Sequence, residues 1–212
     1  MIRMSEKEFE TFAEDRFYAD LWGEPTGSSI IDEIEQRAGS SRVKNRESSM
    51  RGQAFEELIK LQCEKYKEQG SAVIDKTPEP FRVYKKKPGG MFEGRFTGAK
   101  AQPDFQGTLN GGQSILIEAK STSKDRIVFG AVTEHQQELL KIHSKAGAVC
   151  LILCEIGDRH FSVPWLSWEN MKALYGHQYV NTEDIRDYEI ISGENGIFPF
   201  LNTVNQVINK AG

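Results

Sequence analysis

A strand–turn–strand signature in the middle of the chain narrows the fold more than any other feature. It runs Asp104-Phe-Gln-Gly-Thr-Leu109, then Asn110-Gly-Gly112, then Ser114-Ile-Leu-Ile-Glu-Ala-Lys120. Asn-Gly is the strongest short hairpin turn because both residues tolerate positive φ, so the flanking runs are expected to pair as antiparallel neighbours. Alternate side chains of a strand share a face. Leu116, Glu118 and Lys120 therefore point one way, and Ile115, Ile117 and Ala119 the other. The apolar row is the natural core side, whereas the row bearing a carboxylate and an ammonium needs water or a ligand. The turn also folds Asp104 back beside the second strand, where its carboxylate can meet that of Glu118.

Two carboxylates held together repel, which raises the cost of keeping both ionised. A hard divalent cation removes that cost and accepts oxygen ligands, which makes magnesium the natural guest. Lys120 cannot ligate a metal while charged. Its expected role is to orient or activate a water and to stabilise negative charge developing on phosphorus. Asp104, Glu118 and Lys120 together suit metal-assisted hydrolysis of a phosphodiester, and Glu56, near the start of an expected helix, could add a further acid and complete one or two metal sites. Each piece taken singly has an ordinary explanation. Glu-x-Lys is more often a solvated strand face, Pro103-Asp104 is common turn chemistry, and a lone His135 is more often structural than catalytic. Glu57 is expected to be the solvated half of the Glu56-Glu57 pair. What carries weight is the combination of Asp, hairpin turn and Glu-x-Lys on one face, with basic segments beside it.

The rest of the chain supplies an α/β setting. Over residues 53–67 the apolar residues Phe55, Leu58, Ile59 and Tyr66 recur at helical spacing. Residues 72–74 read as a short strand. Residues 81–84 lead through Lys85, Lys86 and Lys87 into a Pro-Gly-Gly turn at 88–90 and a returning arm at 95–97, a second and basic hairpin. A helix over 133–145 precedes a buried strand over 148–154, with a hairpin neighbour at 160–163. Ser167 is placed to cap a helix that reaches Tyr175, and residues 201–210 read as one more amphipathic helix. Ahead of this block, residues 1–37 read as one or two short amphipathic helices, marked by Phe9, Phe12 and Phe17 and then by Ile30, Ile31 and Ile34, with a turn cluster at 23–29. The Ser/Arg-rich stretch 38–50 lacks apolar periodicity and reads as a mobile linker. The expected division is an acidic helical extension over 1–37, a basic linker over 38–50 and one domain over 51–212. Its fold class is α/β, a mixed central β-sheet flanked by helices.

The formal net charge of −4 hides a pattern. Residues 1–37 carry four bases against ten acids, residues 38–53 four against one, and residues 81–100 six against one. Such a chain is not a non-specific DNA coat, yet affinity for a polyanion depends on local charge. By charge alone the two basic segments read as solvated loops. No run approaches the ~20 apolar residues that span a bilayer, and the opening residues do not form a signal peptide. Cys63, Cys150 and Cys154 are odd in number and lack ligand-like spacing, so they read as reduced core thiols of a cytoplasmic protein.

The Pro-Asp…Glu-x-Lys arrangement resembles that of the PD-(D/E)xK nuclease superfamily. Across about residues 46–165 the chain is similar to RecU-type Holliday-junction resolvases, through five short motifs in order: Arg51-Gly-Gln-Ala-Phe-Glu56, Ala72-Val-Ile-Asp-Lys-Thr-Pro-Glu-Pro80, Asp104-Phe-Gln-Gly107, Ile117-Glu-Ala-Lys-Ser-Thr122 and Glu134-His-Gln136. The resemblance implies a restriction-endonuclease-like core with a projecting basic β-hairpin stalk over 81–100. It also implies a homodimer that uses Mg2+ or Mn2+, one or two ions per active site, to cut two opposed strands of a four-way DNA junction. A dimer suits two equivalent scissile positions related by a two-fold axis. By motif position Asp104 and Glu118 are the implied metal ligands, Lys120 the charge stabiliser, Glu56 the helix-borne acid and Gln136 a supporting residue. Lys85, Lys86, Lys87 and Arg95 would contact phosphates from the stalk, and Arg51 would contact DNA beside them. Glu79 and Pro103 stand where the family usually has threonine, the second restoring the superfamily's Pro-Asp, and the first 37 residues match nothing in the family. Two other readings compete: a PD-(D/E)xK endonuclease with a repair or restriction-like substrate, and a non-catalytic DNA-binding accessory protein, which would have no use for the acids.

Overall fold

The computed structural model describes residues 27–78, 81–96, 102–193 and 198–203. The chain divides into two units at Glu47 and Ser48. Helix α1 (Gly27–Glu68) supplies the described part of the first unit and opens the second. The stretch 38–50 is therefore helical and not the mobile linker its composition suggests. A lack of apolar periodicity does not exclude a helix, and no proline interrupts the chain between Pro25 and Pro78. The isoleucine-marked helix of the 30s falls within α1, which begins inside the expected turn cluster. The helix expected around Phe9–Phe17 lies outside the described residues.

From Ser48 onward the remaining elements are β1 (Ala72–Lys76), β2 (Phe81–Lys86), β3 (Phe92–Phe96), β4 (Phe105–Leu109), β5 (Ser114–Thr122), β6 (Arg126–Val128), α2 (Glu134–Lys145), β7 (Val149–Ile156), β8 (Arg159–Pro164), α3 (Trp165–Glu169), α4 (Met171–Tyr175) and β9 (Tyr179–Asn181). Five strands make the central sheet in the order β1-β4-β5-β7-β8. All its neighbours run antiparallel except β5 and β7, which are parallel and joined through α2. This is the mixed, helix-flanked sheet expected. Among the described residues, β2 and β3 pair only with each other, as do β6 and β9.

The β4–β5 hairpin forms as its turn residues dictate. Gly111 and Gly112 adopt φ of 95° and 90°, and the register sets Phe105 opposite Ile117. At Gly107 the neighbouring strand comes so close that a Cβ would lie 2.0 Å from the Val73 carbonyl oxygen, so only glycine lets β1 pair here.

Both faces of the sheet are buried. On one, Ile115, Ile117, Leu151 and Leu153 pack against Phe55, Ile59, Cys63 and Tyr66 of α1 and against Phe198 and Phe200. On the other, Leu116, Cys150, Ile152 and Cys154 pack against Leu140 of α2 and against Trp165, Trp168 and Met171. Of the two partners open to the Leu116–Glu118–Lys120 row, water or a ligand, bulk water does not reach Glu118, which is 0% exposed, while Lys120 keeps 22% of its side chain at the surface. A central strand with a parallel neighbour carries a helical crossover over its second face, and that cover is distant in sequence.

Smaller differences have local causes. The expected helix from Ser167 to Tyr175 is two single turns, α3 and α4, meeting at Asn170. Ser167 lies inside α3 with its hydroxyl 2.8 Å from that of Tyr188, and Pro164 takes the capping position without a side-chain bond. The returning arm of the basic hairpin starts at Phe92, and the expected C-terminal helix lies mostly beyond the described residues. Cys63, Cys150 and Cys154 are buried free thiols, and burial pushes the first two up to about 12. No helix among the described residues is long and apolar enough to cross a membrane.

Candidate active site

The site is built where the start of α2 meets the middle of β5. Thr133 and Gln136 form a capping box: the Thr133 side chain accepts from the Gln136 backbone N–H, and the Gln136 side-chain oxygen accepts from the Thr133 N–H at 3.0 Å. This holds the other end of the amide against the sheet, where Nε2 donates to Glu118 Oε1 at 2.6 Å. The Lys120 ammonium donates to the same oxygen at 2.5 Å. Glu118 is 0% exposed, and its second oxygen, Oε2, is buried with no hydrogen-bond partner among the described residues. Asp104, at the foot of β4, accepts the Ala119 N–H at 2.8 Å, which brings its carboxylate against that of Glu118. Burial first, and the Asp104 charge second, push the Glu118 pKa up to about 7, while Lys120 pulls it down without prevailing.

Asp104, Glu118, Lys120 and Gln136 are thus brought together as the sequence leads one to expect. A buried carboxylate oxygen with no partner is costly. A divalent cation shared with Asp104 would satisfy it and turn the repulsion between the acids into attraction. The residues present therefore fit such an ion. The pair stands alone: no cluster of three or more His, Cys, Asp or Glu able to hold a metal occurs among the described residues. Glu56 is not part of it. It sits on α1, over the opposite face of the sheet, in an ion pair with Lys76 of β1.

Lys85, Lys86 and Lys87 lie exposed on the β2–β3 hairpin, Lys86 6.0 Å over the Phe92 ring and Lys87 3.1 Å from Glu93. Arg95 is paired in register with Arg82 across it. Arg51 is already engaged within the chain: its Nη1 donates to the Gly157 carbonyl at 2.8 Å and lies 3.7 Å from Glu155. Glu57 is solvated and pairs with Lys60, as expected of it. His135 has both ring nitrogens buried without a hydrogen bond among the described residues. Sequence reasoning missed Lys76, which stands in the strand motif but gives no sign of pairing across to a helix twenty residues earlier.

A family model described as recombination protein U, RecU, matches residues 50–206. The chain belongs to the RecU family. The match opens one residue before Arg51 and spans every strand described above. Among RecU relatives, the Holliday junction resolvase RecU of Lactobacillus delbrueckii subsp. bulgaricus is 25% identical over 198 residues, covering 87% of this chain and 93% of that protein. The Holliday junction resolvase RecU of Staphylococcus carnosus is 28% identical over 170 residues, covering 74% and 81%. A solved structure of Hjc, a Holliday junction resolvase from Archaeoglobus fulgidus, overlaps 64% of this chain and 87% of that one with a TM-score of 0.40 at 13% identity.

Proposed function

We propose that this chain is a divalent-metal-dependent endonuclease that resolves four-way DNA junctions, hydrolysing a phosphodiester in each of two opposed strands as a cytoplasmic homodimer. The observation that carries the chemistry is the orphaned, buried Glu118 oxygen facing a second carboxylate, with an ammonium at the mouth of the site. The choice of a junction as substrate is supported by the resolvases named among its RecU relatives.

Asp104 and Glu118 would hold Mg2+ or Mn2+, which when bound polarises the phosphoryl oxygen and lowers the pKa of a water. The chain's own residues do the rest. Gln136 and Lys120 both bond Oε1 of Glu118, which fixes the carboxylate plane and keeps Oε2 for the ion. The Ala119 N–H does the same for one Asp104 oxygen. Lys120 is 22% exposed, so its ammonium can reach a phosphate outside the core and stabilise charge building there. Glu56, the helix-borne acid that the resemblance implies, lies outside this pair in its ion pair with Lys76. Lys85, Lys86, Lys87, Arg95 and Arg51 would take the DNA backbone.

A synthetic four-way junction, a flap and a linear duplex of the same sequence, each with and without Mg2+, test the reading. Symmetric cutting of the junction alone, lost in Asp104→Asn and Lys120→Ala, is expected. Equal cutting of linear duplex would point to a repair or restriction-like nuclease, tight binding without cutting under any divalent ion to an accessory protein, and full activity in both variants would refute the site.

A further inference from the structure

Glu155 is an acid that the proposed chemistry does not use, and its surroundings are unusual for a residue at a strand end. It is 15% exposed on β7, beside Ser121 in the parallel β5–β7 register, one residue along from the Lys120–Cys154 pair. Side chains alternate, so Lys120 and Glu155 leave the sheet on opposite faces but at the same rim. There Glu155 meets the first turn of the α1 segment that enters the nuclease unit. Gly52 lies over Ser121, where a Cβ would come 3.8 Å from its hydroxyl, and Arg51 extends its Nη1 toward Glu155 Oε2 at 3.7 Å and to the Gly157 carbonyl at 2.8 Å. On the other side Glu155 Oε1 faces His160 Nε2 at 3.6 Å. That imidazole is fixed by stacking on Phe55, centroids 5.6 Å apart, and by the edge contact with Phe198 at 5.2 Å.

We infer that Glu155 is a positioning residue for DNA binding, which with the Gly157 carbonyl holds Arg51 by one nitrogen so that the rest of its guanidinium fork is aimed outward at a backbone phosphate. The inference rests on the proposed action on DNA. A guanidinium has five N–H donors in a rigid fork and takes a phosphate by two parallel bonds. Only Nη1 is engaged among the described residues, and the side chain is 37% exposed, so Nε and Nη2 are left to a ligand. An arginine on a flexible stem loses rotamer freedom when it grips a phosphate; one already pinned has lost much of it beforehand. His160, wedged between two aromatic rings, stands against the other side of the Glu155 carboxylate, its Nε2 3.6 Å from Oε1.

The sign of the effect separates this role from plain electrostatics. Removing a negative charge near a DNA-binding rim should tighten binding, whereas removing a support for Arg51 should weaken it. Binding of the four-way junction and of a linear duplex is measured in Ca2+ at several salt concentrations for Glu155→Ala, Glu155→Gln, Arg51→Ala and the Arg51→Ala/Glu155→Ala double variant, with melting curves for each. Glu155→Ala is expected to weaken binding of both DNAs roughly fivefold to tenfold, Glu155→Gln by less, and Arg51→Ala by about tenfold with the salt slope reduced by about 1. In the Arg51→Ala background the Glu155 change should have no further effect. Glu155 variants that bind as tightly as wild type or more tightly overturn the inference, as does an equal loss in the Arg51→Ala background. If Glu155→Ala fails to fold, the isosteric Glu155→Gln decides on the same sign. The duplex arm keeps the two readings apart: loss of junction preference in the wild type sinks the substrate proposal while the Arg51 clamp is still read on duplex, and no binding of either DNA sinks both.

Discussion

Glu118 makes the metal-free protein less stable than it could be, and the size of that effect can be worked out. Its side chain is fully buried, one oxygen has no partner, and its pKa stands at about 7 against 4.5 for an ordinary glutamate. A folded-state pKa above the unfolded value means that the folded chain holds this proton more tightly. The associated stabilisation is therefore complete below pH 4.5 and is lost as pH rises through about 7. The difference corresponds to about 3 kcal/mol at pH 8. Glu118→Gln removes the buried charge while keeping the shape: its oxygen still accepts from Lys120 and Gln136, and its new amide faces the Asp104 carboxylate. In a chelator, the variant should match wild type near pH 4.5 and exceed it by roughly 2–3 kcal/mol at pH 8, a rise in Tm on the order of 4–10 °C for a domain of this size. The assay is a series of thermal melts from pH 4.5 to 8.5, with the gap between the two proteins opening about pH 7. Parallel curves across that range, or a variant less stable than wild type at pH 8, would refute the claim that burial and Asp104 dominate over Lys120. Added Mg2+ should reverse the order, because only wild type offers both carboxylates to the ion.

Two further changes probe other parts of the molecule. Gly107→Ala drives a methyl group into the Val73 carbonyl and should cost about 3 kcal/mol or more, read by urea denaturation; a variant within 1 kcal/mol of wild type would mean that β1 can slide away. Replacing Lys85, Lys86 and Lys87 together with alanine should lower the salt slope of junction binding by roughly 2–3 while leaving the melting temperature unchanged, and an unaltered slope would remove the hairpin from the DNA interface.

Where residues act locally, the sequence was a sufficient guide. The Asn110-Gly111-Gly112 turn, the Thr133 helix start and the apolar spacing from Phe55 to Tyr66 each encode their own geometry, and each appears where expected. The pairing of Asp104 with Glu118 follows from the hairpin register and needed nothing more. The burial of Glu118 was not legible, because a period of two names the faces of a strand without saying what covers each. The cover comes from α2 and from Trp165 and Trp168, up to fifty residues further on. The same limit hid the Lys76–Glu56 and Arg51–Glu155 pairs, which join segments with no local pattern in common. The helix through 38–50 escapes notice for a different reason: its residues carry no apolar periodicity, the signal by which a helix is read from sequence.

The side-chain amide of Gln136 closes the first turn of α2 with one atom and grips Glu118 with the other. Local fraying of that helix would therefore unlatch the acid at the same moment, without any motion of the strand that carries it. Glutamate at this position would still cap the helix but would set a third negative charge against the pair, so a substitution that looks conservative for folding would disrupt the proposed chemistry. The helix start and the proposed reactive carboxylate thus share a single side-chain rotamer.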